Sequence, residues 1–220
     1  MASIIAVIPA TLLLMITINT LQSGPLIINK SLNNKLPSID DFNYILQDSN
    51  DCSGSLLKLI PSKMIFTQLY LRSKSPEIAD FVGYKYKGFL LPIGICWKLS
   101  DVITNYLFGP GKWYGKEFND ENFENNEGEL STGSNIFLGD NGNVIGSRQF
   151  EFSIVKNSIL DKRPSLNLKY SKFNRFHPVA FGMVDELRKL DDDGRILLGC
   201  GSLAISGGLR NFAPFLLVRS

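Results

Sequence analysis

Apolar and polar residues alternate along the second half of the chain with the two-residue period of a half-buried β-strand. The alternation is clearest at residues 149–154 and 165–170, and residues 84–86 repeat it over a shorter stretch. Residues 191–194, Asp-Asp-Asp-Gly, form a tight turn between two such segments. Because no helical crossover separates the segments, we predict an antiparallel meander that closes into a small barrel. The predicted strands cover residues 113–118, 143–155, 164–170, 179–190, 195–205 and 212–219.

The first half of the chain instead contains start and stop signals for short helices. Ser38 and Ser62 each precede a predicted helix, and serine is a residue type that caps helix N-termini. A further helix is predicted to end at Gly109-Pro110, a glycine-then-proline stop signal. The expected fold class is therefore α+β. A helical preface over residues 38–108 precedes a mostly antiparallel barrel over residues 109–220.

An apolar run occupies residues 4–18, and no charged residue precedes Lys30. Fifteen residues are short for a membrane-spanning helix, which needs about twenty, and they match the apolar core of a signal peptide better. A buried helix or strand of the fold is the alternative. We interpret residues 1–24 as a signal peptide or membrane anchor and residues 25–37 as a linker. The expected location is the secretory pathway, an organelle lumen or a membrane surface.

Composition and charge narrow the possible functions. The 220 residues are 44% hydrophobic and 20% charged, as in an ordinary globular protein. The net charge of +2 lacks the basic excess of nucleic-acid-binding domains, so no nucleic-acid partner is expected. One histidine and three scattered cysteines give no metal-ligand pattern, and we predict neither a metal nor a cofactor. Residues 117–147 contain seven acidic residues and no Lys or Arg, which indicates an acidic loop, either simply solvated or a docking surface.

Residues 111–118, Gly-Lys-Trp-Tyr-Gly-Lys-Glu-Phe, form the most distinctive string of the chain. A Gly-x-Trp-x-Gly-Lys-x-Phe string at the start of a strand resembles lipocalin-like (calycin-type) β-barrels, and most of all the uncharacterised GXWXG lipocalin-like proteins. In such barrels a tryptophan near the start of the first strand packs across the closed end, beside an arginine from a late strand. The resemblance extends over roughly residues 81–220, and it implies that Trp113 and Arg188 take these two positions.

The same resemblance implies a binding module that holds a small apolar ligand, such as a lipid, pigment or terpenoid, and performs no catalysis. A barrel of about eight strands encloses a space that is either filled by side chains or left open for one small ligand. Both a solid core and an open cavity are compatible with the sequence. The residues expected to face the ligand are Trp113, Lys116, Phe150, Phe152, His177 and Arg188.

Two other functional classes stay open. An accessory structural subunit of a membrane protein assembly would be held by residues 4–18, so a membrane or a membrane protein complex is a further candidate partner. A small-molecule isomerase or lyase would use the barrel mouth, with His177, Lys116 or Arg188 as its polar group. The enzyme is the less favoured interpretation, because one histidine and no evident pair of buried carboxylates leave little acid–base chemistry.

We predict that residues 1–24 are separable from the fold. The charge-free start is followed by a polar stretch, so removing it should leave the buried core intact. A chain that begins at Asn33 should keep the melting temperature of the full chain when both are compared by circular dichroism. A drop of many degrees would show that the apolar run belongs to the core.

Overall fold

The fold was analysed in a computed structural model that describes residues 36–48, 53–94, 97–119, 131–158, 160–203 and 212–220. Eight antiparallel strands form a closed barrel in which each strand pairs with the next and the last pairs with the first. Helices precede the barrel along the chain, so the predicted α+β class is confirmed. The strands are β1 (Lys85–Leu90), β2 (Lys112–Phe118), β3 (Thr132–Leu138), β4 (Val144–Val155), β5 (Ser165–Lys169), β6 (Met183–Lys189), β7 (Ile196–Leu203) and β8 (Ala213–Arg219).

Short helices occupy the described part of the chain before β2. They are α1 (Ile39–Asp48), α2 (Ser53–Leu59), α3 (Lys63–Arg72) and α4 (Trp97–Val102), and α4 continues as a π-helix over Ile103–Leu107. Ser62 caps α3 as predicted, because its Oγ accepts a hydrogen bond from the Ile65 amide. Among the described helices, none is both long and apolar enough to cross a bilayer. Residues 1–24, interpreted above as a signal peptide or anchor, lie outside the described residues.

All six predicted strands are present, but the barrel contains two more. β1 lies within the segment assigned to the helical preface, so the barrel extends to residues before 109. β3 lies within residues 117–147, which the charge pattern assigned to a loop. Its sequence, TGSNIFL, begins with residue types that are common in turns, and they hide the alternation. Five of the seven acidic residues of this segment fall at 120–129, outside the described residues.

The barrel interior is filled largely by aromatic side chains. Phe118 makes edge-to-face contacts with Phe81, Tyr86, Phe150 and Phe152, with ring centroids 5.0–5.7 Å apart. Each of these five side chains is nearly or fully buried. Aromatic pairs in this arrangement add to the stabilisation that burial itself provides. Around Phe118, the solid-core alternative therefore describes the barrel interior better than an open cavity.

The outer face of β7 forms a second apolar core with the helices. Ile196, Leu198 and Cys200 alternate with the inward-facing Leu197, and all four side chains are buried. The outward set packs with apolar residues of α1–α3, among them Phe66. Burial raises the pKa of the Cys200 thiol well above its usual range, so this cysteine remains a protonated, inert core residue.

Arg188 lies on the outer face of β6, and the prediction that it neighbours Trp113 is wrong. Its guanidinium is fully buried and stacks over the ring of Tyr70 in α3, with 4.8 Å between the guanidinium carbon and the ring centroid. It also donates two hydrogen bonds to the Asp161 carboxylate, at 2.7 and 2.6 Å. Side chains alternate between the two faces of a strand, so the inward position of Leu187 places Arg188 under the helices.

The Asp161 carboxylate is the charge partner that keeps Arg188 buried. Burial acts to raise the pKa of Asp161, but hydrogen bonds from Arg188 and Arg163 outweigh this effect and lower the pKa to about 2. The carboxylate is therefore ionised at neutral pH. The pair attaches the turn between β4 and β5 to the strand that α3 covers.

We expect Arg188→Lys to lower the free energy of unfolding by about 1–3 kcal/mol, because an ammonium cannot reproduce two parallel hydrogen bonds to one carboxylate. Denaturant midpoints measure the change. Arg195→Lys is the control, since the Arg195 side chain is 53% exposed and pairs with aspartates of the neighbouring turn. The control should change stability by no more than about 0.5 kcal/mol. Equal midpoints for both variants would contradict a structural role for Arg188.

Candidate functional site

Trp113 lies at the start of β2 and packs across one end of the barrel. Its indole covers Gly88 of β1, where an added Cβ would lie 2.4 Å from the ring, so only glycine fits beneath it. The indole also makes an edge-to-face contact with Phe215 of β8, at 5.6 Å between centroids. Its Nε1 donates a hydrogen bond of 3.0 Å to the Asn135 Oδ1 atom. The indole therefore links β1, β2, β3 and β8. This position is compatible with the packing across the barrel end that the resemblance implies for Trp113.

Lys116 is buried inside the barrel and forms the centre of a polar network. Its Nζ lies 2.8 Å from Asp185 Oδ2, 2.8 Å from Asn135 Oδ1 and 2.5 Å from the Tyr170 hydroxyl. The Tyr170 hydroxyl in turn donates a hydrogen bond of 2.7 Å to Asp185 Oδ2. An ammonium has three N–H donors, and each of them has an acceptor here. The network joins side chains from β2, β3 and β6 with the residue that follows β5.

Aromatic rings surround the Lys116 ammonium on the remaining sides. The centroids of the Phe150, Tyr170 and Phe215 rings lie 5.3–5.5 Å from Nζ, and that of Trp113 lies at 5.7 Å. The negative faces of such rings stabilise a cation, and the effect is larger where water is excluded. The aromatic lining therefore supports a charge that a purely aliphatic barrel would not tolerate.

The electrostatics of the network follow from burial. Burial lowers the pKa of Lys116, and the Asp185 carboxylate opposes this effect without cancelling it. Burial and the charge of Asp185 raise the pKa of Tyr170 well above its usual range. Lys116 and Asp185 face each other as a buried salt bridge, and the Tyr170 hydroxyl donates a hydrogen bond to the same carboxylate.

A cavity of about 30 Å³ adjoins this network. That volume suits roughly one water molecule. Asp185 lines the cavity, and its Oδ1 accepts no hydrogen bond from any described residue although it is buried. Gly201 leaves space in front of this oxygen, because a Cβ there would lie 3.2 Å from Oδ1. The other lining residues are Leu90, Thr104, Phe108, Trp113, Lys116, Asn135, Met183, Ala213 and Phe215.

The π-helix covers the cavity from outside. Its Thr104 lines the cavity, and Phe108, directly after it, packs against Phe137 and Tyr170 inside the barrel at 5.8 and 5.6 Å. The Phe108 carbonyl accepts a hydrogen bond of 2.5 Å from the Arg148 Nε atom. Single π-turns occur frequently at functional sites, because their wider ring is less favourable than an α-turn. We call residues 103–108 the cover of the cavity.

The structure brings together three of the six predicted ligand-facing residues: Trp113, Lys116 and Phe150. Phe152 is also inside the barrel, but it packs against Phe81 and Phe118. His177 lies on the connection between β5 and β6, where its Nδ1 accepts hydrogen bonds from two backbone amides, which is the arrangement of a turn residue. Arg188 lies outside the barrel, as described above.

Sequence reasoning missed Asn135, Tyr170 and Asp185. The polar Asp185 lies between Met183 and Leu187 on the inward face of β6, and this interruption of an apolar face was a signal that a partner charge lies across the barrel. Its partner, Lys116, was among the residues expected to face the ligand. A β-bulge between residues 113 and 115 shifts the alternation of β2 by one residue, so Lys116 faces the same interior as Trp113.

Comparison of the chain with protein-family models, with curated proteins and with solved structures finds no match. The fold itself defines the class: a closed eight-stranded antiparallel barrel, compatible with a lipocalin-like fold. The likeness to the GXWXG proteins rests on the string around Trp113.

We expect Lys116→Met to destabilise the protein by about 3–5 kcal/mol, because it leaves the Asp185 carboxylate buried without its partner. The double variant Lys116→Met/Asp185→Leu should lose less stability than Lys116→Met alone, since it leaves no unpaired buried charge. Denaturant unfolding measures all variants. Lys85→Met is the control: Lys85 is 60% exposed and pairs with Glu117 on the surface, a pair worth at most about 1 kcal/mol. Additive losses in the double variant would contradict direct pairing.

Proposed function

We propose that the protein is a non-catalytic binding module for a small apolar molecule that carries one hydrogen-bond donor, such as a terpenoid alcohol. The ligand occupies the Trp113 end of the barrel. Its donor group binds Asp185 Oδ1, and its apolar body lies against Trp113 and Phe215, in space that Phe108 now fills. Support for this comes from the eight-stranded barrel, which suits a lipocalin-like binding module, and above all from one oxygen atom.

The Asp185 Oδ1 atom carries the proposal. A buried carboxylate oxygen without a hydrogen bond costs free energy, and native proteins normally pair such atoms. Its sister oxygen, Oδ2, already binds Lys116 and Tyr170. Asp185 also lines a cavity whose other lining groups are mainly apolar, and the Cβ position of Gly201, another lining residue, is 3.2 Å from Oδ1. An otherwise apolar molecule with one donor group suits this environment, because the donor would bind Oδ1 and the rest of the molecule would contact the apolar lining.

Ligand size follows from the packing. About 30 Å³ admits no more than the donor group itself, so the apolar body requires the cover to move. Phe108 is the side chain to be displaced, since it fills the space between Phe137 and Tyr170. Deeper in the barrel, Phe118 packs edge to face against Phe81 and Phe150, at 5.0 and 5.6 Å between ring centroids. A compact terpenoid or short-chain alcohol therefore fits better than a long pigment.

The mutual pairing of Lys116, Asp185 and Tyr170 disfavours the isomerase or lyase alternative. All three N–H donors of Lys116 are already occupied, which leaves no lone pair to abstract a proton. The subunit of a membrane assembly stays a prediction that rests on residues 4–18, outside the described residues.

Titration with geraniol and with geraniol methyl ether tests the proposal, with tryptophan emission and native mass spectrometry as readouts. Geraniol should bind saturably, and the ether, which lacks the donor, at least about tenfold more weakly. Gly201→Ala should weaken geraniol binding by a similar factor, because its Cβ occupies the space in front of Oδ1. Gly146→Ala is the matched control, since a Cβ there meets only the Ser134 hydroxyl, at 3.4 Å.

Equal binding of the alcohol and the ether would show that Oδ1 does not select the ligand. Absence of saturable binding for both compounds, with folded protein confirmed by circular dichroism, would overturn the proposed function itself.

A further inference from the structure

The outside of the cover is unusually apolar for a protein surface. Tyr106 is 75% and Leu107 is 55% exposed, and Trp97 and Leu99 of the preceding α4 are also exposed. Ten of the 13 large hydrophobic residues that are exposed in the described part of the chain belong to segments at the Trp113 end of the barrel. Single exposed apolar residues are ordinary, but a contiguous group marks an interaction site.

The connection between β5 and β6 extends the same surface. Phe176 in this connection is fully exposed, and Phe181 is 54% exposed. β4 links the connection to the cover, because Gln149 O accepts a hydrogen bond of 2.8 Å from Asn174 Nδ2 and the adjacent Arg148 binds the Phe108 carbonyl. Together these residues form what we call the rim surface: Trp97, Leu99, Tyr106, Leu107, Phe176 and Phe181.

Positive charge surrounds the rim surface. Residues 97–113, 139–149 and 169–182 contain six Lys or Arg and two Asp, whereas the net charge of the whole chain is only +2. Lys98 and Lys112 are exposed beside the cover, and Lys172 and Arg175 are exposed beside Phe176. The exposed apolar group and the local positive charge therefore coincide at one end of the barrel.

We propose that the rim surface docks onto the surface of a lipid bilayer that contains anionic lipid. Trp, Tyr and Phe side chains favour the interface between headgroups and acyl chains, and Lys or Arg beside them favours anionic headgroups. A protein partner would need an apolar patch ringed by acidic residues, whereas an anionic bilayer supplies both properties at once. This docking does not depend on a ligand in the barrel, and it would place the cover of the cavity against the membrane.

Vesicles with acyl-brominated phosphatidylcholine and about 30% phosphatidylserine test the proposal on the full chain. The chain has two tryptophans, Trp97 on the rim surface and the buried Trp113. Bromine atoms in the acyl region should quench the emission of Trp97. Trp97→Phe leaves only Trp113 and should show little quenching. This readout separates insertion of the rim surface from any attachment through residues 4–18.

Flotation with the same vesicles tests the contributing residues. Tyr106→Ser/Phe176→Ser should reduce binding by at least about fivefold, whereas Tyr44→Ser should not, although Tyr44 is 70% exposed on α1. Lys172→Glu/Arg175→Glu should reduce binding similarly, and Lys58→Glu/Lys156→Glu, two exposed lysines elsewhere, should not. Vesicles of phosphatidylcholine alone should bind the wild-type chain more weakly.

Unquenched Trp97 emission in the presence of vesicles overturns the proposal, even if the chain floats with them, because attachment then lies elsewhere. Equal flotation of the rim-surface and control variants overturns it as well, and would leave the rim surface as a protein-binding site. Neither result bears on geraniol binding, so the two proposals fail independently.

Discussion

The ion pair between Lys116 and Asp185 is the constraint on which the barrel interior depends. Two charges enclosed by aromatic side chains are tolerated only if each has its partner within hydrogen-bond distance. Lys116 Nζ lies 2.8 Å from Asp185 Oδ2. Tyr170 donates a further hydrogen bond to this oxygen, and Asn135 accepts one from Nζ. Register around the closed barrel must therefore be correct at every strand between β2 and β6, because a slip of one residue would separate the charges.

Strand β6 also carries buried polar residues on its outer face. Arg188 of β6 points outward to Asp161, and Glu186 accepts a hydrogen bond of 2.6 Å from the Ser158 hydroxyl. The inward Asp185 and these outward residues are neighbours in sequence, yet the sheet separates them. β6 thus holds the ion pair of the interior on one face and connects the barrel to α3 on the other. Substitutions in this strand are expected to affect both layers.

The position of the candidate site follows from the small number of hydrogen-bonding side chains inside the barrel. Most of the enclosed side chains are phenylalanines and leucines, which offer no hydrogen bond. The proposed function therefore places the ligand's donor group at the polar network near Trp113, where Asp185 Oδ1 has no hydrogen-bond partner among the described residues. The cover above it has Phe108 on its inner side and the exposed Tyr106 on its outer side. The two proposals therefore involve the same segment, which would both close the cavity and contact a membrane.

Local features could be predicted from the amino-acid sequence: six of the eight strands, the Ser62 cap and the α+β class. These depend on residues that are close along the chain, so periodicity and capping reveal them. Tertiary structure alone decided which side chains meet. The bulge after Trp113 turned Lys116 inward, the register of β6 turned Arg188 outward, and barrel closure brought Asp185 to Lys116 across 69 positions of the chain. Such pairings depend on strand register and on which strands are neighbours, and no local pattern encodes either.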